Sequence, residues 1–139
     1  MLPDKDCLLD HVAIAVSDLE KSVKIYEDLG LHFAPEREVV ESQGVTTAFA
    51  AIDENAHIEL LCPYGEDGPI HKYIEKKGEG IHHLCFKVPD VEKKAKELRD
   101  KGYVLLYDKA SMGAGNCLVN FIHPKSTGGV LIEISQKLN

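Results

Sequence analysis

The chain carries two copies of one pattern, and that repeat restricts the available folds more than composition does. Shifted by 72 residues, the segment LDHVAIAVSDLEKSVKIYEDLG (9–30) falls without a gap on IHHLCFKVPDVEKKAKELRDKG (81–102). Identities fall on His11 and His83, Val16 and Val88, Asp18 and Asp90, Glu20 and Glu92, Lys21 and Lys93, Lys24 and Lys96, Asp28 and Asp100, and Gly30 and Gly102. Phe49 and Phe121 keep the same offset. The second copy then gains two residues in the loop HPKSTGGV, so His57-Ile58-Glu59-Leu60 answers Leu131-Ile132-Glu133-Ile134 at an offset of 74. Two equivalent modules are therefore expected, at about 8–62 and 80–136, within one domain over 1–139.

Each module reads as strand, helix and three strands, an α+β pattern of two βαβββ units. Residues 9–16 alternate with the period of a strand, Val12, Ile14 and Val16 on one side and His11, Ala13 and Ala15 on the other. A helix follows, with Ser17 as N-cap, Glu20 completing a capping box, and Leu19, Val23, Tyr26 and Leu29 as its apolar face before Gly30. In the second copy Val91, Ala95 and Leu98 repeat that face. Further strands are expected near 33–40, 45–52 and 57–62, and near 103–108, 116–123 and 129–136. Pro69–Lys77 reads as a short linking helix.

Charge and composition narrow the function. The 16 Lys and Arg against 23 Asp and Glu leave a net charge of −7, the wrong sign for a protein that coats nucleic acid. The longest apolar runs are too short to span a bilayer, and the start MLPDKDCLLD lacks the basic, then apolar, order of a secretion leader. A cytoplasmic protein without membrane or nucleic-acid partners is expected. Cys7, Cys62, Cys85 and Cys117 include no CxxC pair and read as small core hydrophobes in a reducing compartment.

Four side chains stand out against this pattern. The helix must cover the face of Val12, Ile14 and Val16, which sends His11 to the other face, and His83 repeats the arrangement. Glu59 and Glu133 each interrupt an apolar strand, where a buried carboxylate costs several kcal/mol unless paired. Two imidazoles and two carboxylates meeting across a pseudo-twofold axis would satisfy one divalent ion, the mixed N and O donors suiting Co, Ni, Zn, Fe or Mn. Octahedral geometry would leave two positions for water or substrate. His32, His57, His71, His82 and His123 have no counterpart at matching spacing and read as turn or surface residues.

These residues resemble the vicinal oxygen chelate superfamily and, within it, the methylmalonyl-CoA epimerase family. The similarity is carried by LDHVAIAVSDLEKSVKIYEDLGL, QGVTTAFAAID, IELLCPYGEDGPIHKYIEKKGEGIHHLCFKVPDV and GAGNCLVNFIHPKSTGGVLIEISQ, from about residue 8 to 136. It implies a cupped, partly open mixed eight-stranded sheet. It also implies a metal site at His11, Glu59, His83 and Glu133, where the second ligand is Gln in some epimerases and Glu in others. Cobalt is the ion by resemblance, with Ni, Zn, Mn or Mg as alternatives. The implied reaction is epimerisation of methylmalonyl-CoA through an enolate, with Glu133 as one acid–base group. Where some epimerases carry a second glutamate this chain has Thr47, so either a metal-bound water, Glu38 or Glu41 takes that role or the assignment does not apply to this chain. Lys125 is the expected partner of the coenzyme A phosphates, with Ser126 and Thr127 as donors, Gly113, Gly115, Gly128 and Gly129 allowing close approach, and Gln43 at the substrate carboxylate by family position. A homodimer is implied as well. The same four ligands serve lactoylglutathione lyases of the glyoxalase type, so that reaction stays open, as does a non-catalytic ligand-binding module of the same fold.

Overall fold

A computed structural model describes residues 6–139. In chain order the elements are β1 (Leu8–Ala15), α1 (Leu19–Asp28), β2 (Glu38–Val40), a 3-10 turn (Glu41–Gln43), β3 (Val45–Ala51), β4 (His57–Pro63), α2 (Pro69–Lys77), β5 (Gly80–Lys87), α3 (Val91–Asp100), β6 (Ser111–Gly113), β7 (Cys117–Ile122), a second 3-10 turn (Pro124–Ser126) and β8 (Ile132–Lys137). Each repeat thus gives strand, helix and three strands, and the linking helix occupies Pro69–Lys77. Among the described residues the chain forms two compact units, 11–82, and 83–139 together with 6–10. No helix among the described residues is long and apolar enough to cross a membrane.

In the first module the strand order is β2-β3-β4-β1, with β1 and β4 parallel and the other neighbours antiparallel. Alternation along β1 divides its side chains as the sequence requires. Ile14 and Val16 join Val23, Ala48 and Leu60 under α1, where Leu19 and Tyr26 complete the layer. Ala13 and Ala15 join Val45, Leu61 and Ile70 on the opposite side, packed by Tyr73 and Ile74 of α2. Burying Leu60 fully contributes about 1.5–3 kcal/mol. The second module has the order β5-β8-β7-β6, with β5 and β8 parallel. Its α3 core is Val88, Val91, Ala95 and Ile134, with Leu98 and Leu105 against it.

Several boundaries differ from the sequence reading. The cap of α1 is Asp18, not Ser17: its carboxylate accepts from the Lys21 amide at 3.1 Å, and Asp90 does the same for Lys93 at 3.0 Å. Leu29 is exposed rather than packed, because α1 ends at Asp28. The expected strand at 103–108 is a lone bridge between Leu105 and Ile122, and the third strand of that module is Ser111–Gly113. The reason is Asn120. Its fully buried carboxamide accepts from the Tyr107 amide at 3.1 Å and donates to the Tyr107 carbonyl at 3.0 Å, taking the groups a strand ladder would use. The segment near 33–40 is similarly reduced to a Phe33–Ala50 bridge and β2, with Pro35, which has no N–H, between them. Of the cysteines only Cys85 is fully buried; Cys7 is exposed and Cys62 and Cys117 are half-buried.

Candidate metal centre

In the first module, parallel pairing of β1 with β4 sets His11 beside His57 and Ala13 beside Glu59. Ala13 has no side chain beyond Cβ, so the Glu59 carboxylate has room to lie toward His11. The His11 Nε2 and Glu59 Oε2 are 3.2 Å apart and both residues are 6% exposed. In the second module the register places Cys85 opposite Glu133, and His83 Nε2 lies 2.8 Å from Glu133 Oε1, again buried. The antiparallel neighbours repeat too, with Phe49 opposite Glu59 and Phe121 opposite Glu133.

The donor set of each pair suits a divalent ion. Imidazole nitrogens and carboxylate oxygens bind transition ions at about 2.0–2.2 Å, which puts neighbouring ligand atoms at right angles about 3 Å apart. Both pairs already stand near that separation. A buried histidine and carboxylate left to each other carry a desolvation cost of several kcal/mol per charge, and a cation between them would offset it.

His57 is a candidate ligand that the sequence reading placed among turn or surface residues. It is half-buried, its ring centroid is 5.0 Å from that of His11, and one donor atom from each of His11, His57 and Glu59 lies within 4.8 Å of the others. The overlooked signal was the His-x-Glu spacing on a strand, which puts both side chains on one face. Tyr107 was also missed. It packs edge-on against Phe121, which in turn packs edge-on against His83, and burial pushes its phenol up, with the charge of Glu133 adding to the effect. Of the remaining histidines, His82 packs edge-on against Tyr73, His71 faces Glu75 at 3.3 Å, and His123 Nδ1 accepts from the Lys125 amide.

The expected substrate contacts lie on two structured turns. Gln43 ends the first 3-10 turn and precedes Gly44, whose φ is +64°. A Cβ at Gly44 would stand 3.0 Å from the Gly68 Cα, so glycine there satisfies both the backbone angle and the approach of the following loop. Lys125 is exposed on the second 3-10 turn. Ser126 Oγ accepts from the Val104 amide, tying the turn to the segment after α3, and Thr127 Oγ1 donates to the Pro124 and Val130 carbonyls within its own loop. Thr47 is fully buried and its hydroxyl donates to the Glu38 carbonyl; the side chains of Glu38 and Glu41 face solvent.

Residues 10–121 match the Glyoxalase/Bleomycin resistance protein/Dioxygenase superfamily. The ethylmalonyl-CoA/methylmalonyl-CoA epimerase of Cereibacter sphaeroides is 41% identical over 132 residues, covering 92% of this chain and 96% of that protein. The crystal structure of methylmalonyl-CoA epimerase from Mycobacterium tuberculosis superposes with a TM-score of 0.91 at 38% identity, covering 100% of this chain and 94% of the other. A variant of the Streptomyces coelicolor methylmalonyl-CoA epimerase, in complex with 2-nitronate-propionyl-CoA, gives 0.89 at 36% identity, covering 94% and 97%.

Proposed function

Because the chain belongs to the Glyoxalase/Bleomycin resistance protein/Dioxygenase superfamily, among its methylmalonyl-CoA epimerases, we propose that it interconverts 2R- and 2S-methylmalonyl-CoA by removing and returning the proton at C2. The observation that carries this reading is the 41% identity with the ethylmalonyl-CoA/methylmalonyl-CoA epimerase over 92% of this chain and 96% of that protein, and the pair of buried His–Glu contacts at repeat-related places supports metal-assisted chemistry. His11, Glu59, His83 and Glu133 together would hold one divalent cation, cobalt by family resemblance. When bound, it supplies positive charge against the enolate oxygen that develops as the C2 proton leaves.

The remaining chemistry belongs to the chain. Glu133, oriented by His83 at 2.8 Å, takes the C2 proton on one face. Inversion requires delivery of a proton from the other face, a role Thr47 does not fill, since it is buried and tied to the β2 backbone, and which a water molecule in the site would take. Tyr107 keeps its phenolic proton at neutral pH, which suits it to donate a hydrogen bond rather than to act as base. Lys125 supplies local positive charge for the coenzyme A phosphates on a chain of net charge −7, while Ser126 and Thr127 shape its loop and Gln43 faces the substrate carboxylate. We read the two modules as one domain. We also read the protein as a homodimer, in which the short outer strands β2 and β6 gain cover. A cytoplasmic location fits four cysteines that are all free thiols.

The test is solvent exchange. Methylmalonyl-CoA incubated with the protein in deuterium oxide is expected to racemise and to take up deuterium at C2. Lactoylglutathione formation from glutathione and methylglyoxal, without deuterium uptake into methylmalonyl-CoA, would overturn the reading.

A further inference from the structure

The repeat calls for leucine at position 57, since the matching residue of the second module is Leu131. The imidazole that replaces it changes the packing of the site. In the second module Phe121 rests directly against His83, ring centroids 5.6 Å apart. In the first, the equivalent Phe49 rests against His57 at 5.1 Å, and His57 against His11 at 5.0 Å. An imidazole has been inserted between the aromatic wall and the ligand. Period-two alternation keeps His57 on the face of Glu59, and the parallel register holds it opposite His11. Ligand atoms around one transition ion stand roughly 3 to 4 Å apart, and donor atoms of His11, His57 and Glu59 already lie within 4.8 Å of one another.

We propose that His57 is a further metal ligand, entering the coordination sphere of the cation held by His11 and Glu59. This deepens the function proposed above and rests on it. With His57 the first module offers two nitrogens and one oxygen, a set that favours Co, Ni or Zn over Mg or Ca. A fifth protein ligand leaves one position of six, so His57 coordinates in the substrate-free state and yields to a substrate that grips the ion through two oxygens.

Two variants separate ligation from packing: His57→Phe keeps a ring against Phe49 and His11, and His57→Leu reproduces the second module. Chelator-treated full-length proteins, checked for native circular dichroism, are titrated with Co2+ alone, and the imidazoles around cobalt are counted by X-ray absorption. Wild type is expected to show one more imidazole than either variant, and the variants to bind Co2+ at least about tenfold more weakly. Equal affinity and equal imidazole count in a folded variant overturn the proposal while leaving the epimerase reading intact. Failure of wild type to bind Co2+ overturns both.

Discussion

The two modules agree in the parts that build the fold and diverge around their glutamates. Asp18 and Asp90 cap equivalent helices, and Phe49 and Phe121 sit opposite Glu59 and Glu133 in equivalent registers. Around these shared positions the first module adds His57 and the cover of α2, while the second adds Tyr107, clamped by Asn120, and the Lys125 turn. Duplication supplies a symmetric set of donors, and an epimerase needs an acid–base group at each face of one carbon. The residues outside the repeat are where the two modules differ.

The sharpest way to probe this contrast is to change both glutamates identically. Glu133→Gln keeps size and one acceptor but removes the proton carrier, and is expected to lower deuterium exchange by about 10²–10⁴-fold. Glu59→Gln keeps the ligand oxygen, and glutamine is the residue at this place in some epimerases by family resemblance. It should weaken metal affinity by about tenfold and leave exchange largely intact once the protein is saturated with Co2+. Equal losses in the two saturated variants would break the comparison, since both carboxylates would then serve only as ligands or both as acid–base groups.

Next in size are the two cores. Leu60→Ala in the first module and its counterpart Ile134→Ala in the second each empty a buried site under a helix, and each is expected to cost about 2–5 kcal/mol in urea unfolding. Leu60 is 0% exposed and Ile134 is 4%, so the first substitution should fall toward the upper end. A loss below about 1 kcal/mol for either would mean that its neighbours collapse into the space, beyond the partial relaxation usual for such sites.

What could be read from the sequence follows from the range of the forces involved. Strand alternation and helix periodicity are local, and the repeat doubled their signal, so His11, Glu59, His83 and Glu133 stood out and the linking helix was placed at Pro69–Lys77. His57 leaves no such trace, because its counterpart in the other module is Leu131, which offers no donor atom. The capping error had its remedy in the repeat: Ser17 aligns with Pro89, which has no side-chain acceptor, whereas Asp18 aligns with Asp90. The loss of the strand at 103–108 was not legible, because it depends on the Asn120 side chain reaching Tyr107 from another strand. Such contacts are set by tertiary packing and leave no periodic trace.

The smallest expected effect tests whether the shared scaffold is also energetically shared. Replacing an N-cap acid by alanine costs about 0.5–2 kcal/mol, and the Asp18 and Asp90 bonds are nearly the same length. The surroundings differ in the acceptor offered to the first helical amide, which in α1, at Leu19, is the weaker sulfur of Cys62. The first amide of α3, at Val91, donates to Gln136 Oε1 at 3.1 Å, so after Asp90→Ala strips the acceptor from the Lys93 amide the helix end is still anchored by a group from β8. Asp90→Ala is therefore expected to destabilise less than Asp18→Ala, a difference measurable by urea unfolding of both single variants. Adding Gln136→Ala to Asp90→Ala should restore the larger loss if the glutamine acts as an auxiliary cap. If the double variant loses no more than the single one, the carboxamide contributes nothing to the helix, and the two caps are equivalent in energy as well as in geometry.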